Sequence, residues 1–135
     1  MNEELVSRYI MKADNDLKTA KDELETDKPA TDTVCFHTQQ CVEKYLKAYL
    51  VFKGKEILKS LKSHNIEFLI VACRNIDNSF NYLIEINAHE LTDYAIELRY
   101  PDDFYMPSVE ESNQAIATAE KVREFILNKL KNGKL

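Results

Sequence analysis

The sequence predicts an all-α fold, one helical bundle, and three observations carry that prediction. Among 135 residues there are two Gly and three Pro, too little punctuation for the many tight turns of a β-rich domain. Apolar side chains recur at three- and four-residue steps along most of the chain, the period of a helix face. Apolar residues make up 44% and charged residues 30%, the balance of a single soluble domain, residues 1–135, long enough to close a core without staples.

The first helix is expected over Glu3–Leu24, where Leu5, Tyr9, Ala13, Leu17, Ala20 and Leu24 form one apolar stripe and Pro29 follows as a break. Thr31 or Asp32 is placed to cap a second helix that runs to about Phe52, with Gly54 as its C′ residue. This second helix is apolar around most of its girth (Val34, Cys35, Phe36, Cys41, Val42, Tyr45), so it is either central or covered by a second subunit as well as by its own core. Ser63 is the expected cap of a short third helix through "SHNIEFLIVACRNI". A long fourth helix is expected from about Ser79 to Arg99, on the spacing of Phe80, Ile84, Ala88, Leu91, Ala95 and Leu98; Pro101 stops it. Ser108 and Glu111 form a capping box that opens the fifth, whose apolar face is Ala115, Ile116, Ala119, Val122, Ile126 and Leu130.

Several function classes lose support at this stage. No apolar run reaches membrane-spanning length and no basic-then-apolar leader opens the chain, so a cytoplasmic protein without a membrane role is expected. Cys35, Cys41 and Cys73 are an odd number with no Cys-x-x-Cys pair, which fits reduced thiols. A formal charge of −5 gives no general attraction for nucleic acid, so any such contact must use a local patch.

Three features could form such a patch. His37, Gln40, Lys44 and Lys47 keep helical spacing on the second helix, with Glu43 beside them. They are either its solvated face or a polar seam in a groove that meets phosphate or a partner's carboxylate. Between Glu43 and Lys62 six Lys oppose two Glu, and His64 follows at once. Such a run is commonly only solubilising, but here it leads to the start of the third helix, where free N–H groups favour an anion. Finally, Arg99 ends the fourth helix, ahead of Asp102 and Asp103. An Arg there meets the negative end of the helix dipole and can fork to a carboxylate, or it can project into a groove shared with the second helix and contact phosphate.

"FHTQQCVEKYLKAYL" (36–50), "KSHNI" (62–66) and "YAIELRYPDD" (94–103) together resemble the HEPN domain family in order and spacing. The resemblance implies an antiparallel up-and-down four-helix bundle with an additional short helix, usually a homodimer. It also implies a place beside a minimal nucleotidyltransferase in two-gene, often toxin–antitoxin, operons, and it calls for no cofactor or metal. Family ribonucleases carry Arg, four to six residues, then His. Arg99 matches the Arg, but positions 104 to 106 are Phe104, Tyr105 and Met106, and no His stands at that spacing from Arg8, Arg74 or Arg123. Metal-free RNA cleavage needs a proton-transfer group near neutral pH, and a tyrosine is a poor base there.

Three readings follow. One is a non-catalytic HEPN module that pairs with a nucleotidyltransferase and contacts nucleotide or RNA phosphate between the second and fourth helices. Gln40, Lys44, Lys47, Lys62, His64 and Arg99 are its candidate contacts. Another is a metal-independent, toxin-like ribonuclease using Arg99, Asp102 or Tyr105 with His64 brought in across a dimer. The last is a structural interaction bundle without a ligand.

Overall fold

The computed structural model describes residues 2–55, 62–95 and 105–133. Its helices are α1 (Glu3–Leu24), α2 (Thr31–Phe52), α3 (Ile66–Arg74), α4 (Asn81–Glu85) and α5 (Val109–Asn132). A first 3-10 turn (Asn78–Phe80) precedes α4 and a second 3-10 stretch (Ala88–Tyr94) follows it.

The architecture is an up-and-down helical bundle built around α2. Antiparallel α1 is tied to it by Asp14–Tyr45 and Asp16–Lys44 contacts. The 78–94 segment also runs antiparallel to α2: Phe80 lies against Tyr49 with ring centroids 4.5 Å apart, while Tyr94 reaches Cys35 near the other end. Helix α5 runs parallel to α2, from the Cys35–Ser112 contact at 3.7 Å to the packing of Gly133 on Phe52. The short α3 lies outside this set, its Cys73 thiol pointing at the Leu46 carbonyl.

Val34, Cys41, Val42, Tyr45, Leu46, Ala48, Tyr49, Leu50 and Val51 of α2 are all buried within the single chain. Of the two explanations for its apolar girth, the central position accounts for these residues; Phe36, on the same helix, is half-buried. Apolar burial of this kind is the main favourable term in folding. At one end Phe80 packs edge-on to Phe125, centroids 4.9 Å apart, and makes an aromatic cluster with Tyr49. All three cysteines are buried and unpaired; burial pushes the Cys41 and Cys73 thiols well above their ordinary range.

Helix ends follow local chemistry, with corrections to the expected caps. The C-terminus of α2 is a Schellman motif: Gly54 (φ +69°) and Lys55 donate backbone N–H groups to Val51 and Leu50. Its N-cap is Ala30, not Thr31 or Asp32. The Glu23 carboxylate of α1 accepts the Ala30 N–H instead, at 2.9 Å, while Asp32 accepts from Thr33 within the first turn. Asn65 rather than Ser63 caps α3, accepting from Phe68 N–H at 3.0 Å; Ser63 accepts from Asn65 one step earlier. Ser108 caps α5 by accepting from Glu111 N–H at 3.0 Å.

The fourth helix departs from its expected form. In place of one helix from Ser79, the chain has a 3-10 turn, a short α4 and a second 3-10 stretch. The break falls at Asn87, whose φ of 62° is left-handed. Asparagine tolerates that region better than other residues with a Cβ, so it ends α4 as a C′ residue would. On either side of the break Leu83, Ala88 and Leu91 are buried, and Ile84 is partly buried. The expected end of this helix, 96–99, lies outside the described residues.

Candidate functional site

The polar seam of α2 divides into two networks. In the first, His37 Nδ1 lies 2.8 Å from Asp16 Oδ1, and Lys44 Nζ donates to Asp16 Oδ2. Beside it Asp14 accepts from the Tyr45 hydroxyl and from Arg123 Nε, the latter at 2.9 Å. This network stitches α1, α2 and α5 together. It places Lys44 against an internal carboxylate that competes with any external anion for the same ammonium.

The second network faces α3. Glu43, 3% exposed, accepts from Gln39 Nε2 at 3.1 Å and from Lys47 Nζ at 2.9 Å, and its Oε1 lies 3.1 Å from His64 Nδ1. Gln39 also donates to the His64 carbonyl at 3.2 Å, and Gln40 donates to Gln39 Oε1 at 2.7 Å. Lys47 is 5% exposed, so Lys47 and Glu43 are a buried ion pair and not part of a solvated face. The His64 side chain is 62% exposed, against 4% for that of Glu43: a carboxylate held in the wall orients an imidazole at the surface. Lys62 is exposed two residues earlier. Tyr9 of α1 faces the same carboxylate; burial first, then the charge of Glu43, pushes its phenol upward.

One turn earlier on α2, Cys35 meets the start of α5 through Ser112. There Glu111 accepts hydrogen bonds from both Tyr94 and Tyr105, whose positions bracket the 96–104 segment. Burial alone would raise the Glu111 carboxyl; the Tyr105 and Tyr94 hydroxyls and the Ser108 backbone outweigh it and hold the group below its ordinary range. Both phenols are pushed up, Tyr105 by its bond to Glu111 and Tyr94 chiefly by burial. The second 3-10 stretch is pinned to the start of α3, where Thr92 Oγ1 accepts from Ile66 N–H at 3.0 Å.

The candidate contacts thus sort by place. Gln40, Lys47 and His64 share the Glu43 network, Lys62 flanks it, and Lys44 belongs to the Asp16 network on the α1 side. Tyr105 lies at the adjacent corner. Arg99 and Asp102 lie outside the described residues. Gln39, which holds the network together, escaped the sequence reading. Its signal was a polar Gln39–Glu43 pair at i, i+4 inside an otherwise apolar face.

The helical bundle and its polar seam, with the Arg-Tyr-Pro sequence at 99–101, together define a class. The HEPN domain model matches residues 6–130, and the chain belongs to the HEPN family. A protein of Methanocaldococcus jannaschii named "Putative toxin MJ1304" is 28% identical over 133 residues, covering 91% of this chain and 86% of the relative. Among solved structures, ST0689, an archaeal HEPN homologue, superposes with a TM-score of 0.64 at 22% identity, over 93% of this chain and 97% of that one. This likeness shows the fold. Among the described residues, no helix is long and apolar enough to cross a membrane.

Proposed function

We propose that this chain is a non-catalytic HEPN module. In this reading it dimerises, pairs with a minimal nucleotidyltransferase, and contacts nucleotide or RNA phosphate in the groove between α2 and the 78–94 segment. One observation carries it. At the spacing where family ribonucleases place histidine after Arg99, the chain has Tyr105, a phenol bonded to Glu111 and shifted away from neutrality. Such a group does not take a proton at neutral pH. The toxin label of the archaeal relative supports a place in a two-component system and says nothing of how that protein acts.

Incubation with labelled RNA tests the reading. No cleavage is expected; cleavage that disappears in Arg99→Ala would instead establish the ribonuclease. Titration with a nucleoside triphosphate at low and high salt separates the module from a purely structural bundle. Binding that weakens steeply with salt is expected, and no binding at either salt favours the structural role.

A further inference from the structure

We propose that Nε2 of His64 is the atom that meets the anion, and that anion binding there takes up one proton. The inference rests on the phosphate-contact reading above and adds the regulation of that site.

The argument is one of hydrogen-bond direction. Glu43 already accepts from Lys47 Nζ at 2.9 Å and Gln39 Nε2 at 3.1 Å, so it offers oxygen lone pairs to Nδ1 of His64 at 3.1 Å and 3.3 Å. Nδ1 therefore carries a hydrogen and donates it. Gln39 holds the backbone at His64 through its carbonyl, at 3.2 Å, and a half-turn of the ring would put Cδ2 in place of Nδ1 and lose both contacts with Glu43. A neutral His64 then presents a bare lone pair at Nε2, which repels a phosphate oxygen. Only the imidazolium has a second N–H to donate outward.

The surroundings leave this step to His64. Lys47 is buried and its charge is answered by Glu43. Lys62 precedes the ring and is exposed, Glu67 lies in the first turn of α3, Asp93 stands next to Thr92 on the 3-10 stretch, and Tyr9 faces Glu43 from α1. His37 has a similar Nδ1–carboxylate contact, but its side chain is 27% exposed and its Asp16 is shared with Lys44.

The sign follows. A bound anion favours the imidazolium, so affinity is full at low pH and falls as pH rises through the imidazole titration. The fall approaches about tenfold per pH unit above it.

Sulfate is the probe, because it stays a dianion across this range and only the protein titrates. Imidazole ¹⁵N NMR during sulfate titration at pH 6 and pH 8 reads the site directly. Sulfate is expected to move the His64 Nε2 resonance to its protonated position, with affinity lower at pH 8 than at pH 6. His64→Gln, at the surface, should keep the fold and lose the pH dependence. Glu43→Gln should flatten it, since the new amide can donate to Nδ1 and leave the hydrogen on Nε2 of the neutral ring. Equal affinity at both pH values, or a slope that survives in His64→Gln, removes the proton linkage and leaves the phosphate reading standing. No perturbation around His64 at either pH removes His64 as the anion contact.

Discussion

Glu43 and Lys47 make the strongest case at the scale of single residues. Both are buried, and each is the other's counter-charge. A buried ion pair is weak evidence for net stability, but breaking one leaves a charge that must be accommodated without water. Lys47→Met should therefore destabilise the protein by about 3–5 kcal/mol, while Lys47→Met combined with Glu43→Gln should cost clearly less than the single change. Urea unfolding of wild type and both variants measures this. A single variant within about 0.5 kcal/mol of wild type, the usual effect of a surface change, would mean that the pair is solvated. The charged strip was legible in the sequence because its spacing is helical. Its division between Asp16 and Glu43 was not, because that depends on which carboxylates α1 and the α3 start bring to it.

At the scale of elements, α1, α2 and α5 begin and end close to where periodicity and Gly54 put them, since a long amphipathic stripe leaves little freedom of register. The 78–94 segment shows the limit of that logic. Phe80, Ala88 and Leu91 keep helix-like spacing, yet the backbone leaves the helix at Asn87 and resumes as 3-10. A stripe records which residues face the core, and a short break between two core-facing pieces is invisible to it. The left-handed φ gives a direct test. Asn87→Gly should be neutral or slightly stabilising in thermal unfolding, and Asn87→Leu should cost about 1 kcal/mol or more. If instead Asn87→Leu stabilises the protein, the segment is a continuous helix after all.

The whole molecule is organised by a helix that its own chain surrounds. The buried apolar residues of α2 are already covered by their own chain, so they supply no motive for dimerisation through that helix. The same centrality makes the links among the outer elements informative. Asp77, at the cap of the first 3-10 turn, joins α5 through Lys129 Nζ at 2.7 Å. Hydrogen bonds from Lys129 and Ser79 hold its carboxyl down to about 2. A carboxyl depressed in the folded state adds stability that is present above its unfolded value, near 4, and is lost as pH falls through the folded one. The contribution is modest because Asp77 and Lys129 are about a third and a quarter exposed, at 31% and 26%. Thermal unfolding of Asp77→Asn against wild type should therefore show a lower midpoint for the variant at neutral pH, and the two curves should converge between about pH 4 and pH 2. A gap that stays constant over that window would show that the loss does not depend on the charge of Asp77, and would leave no role for its ion pair with Lys129.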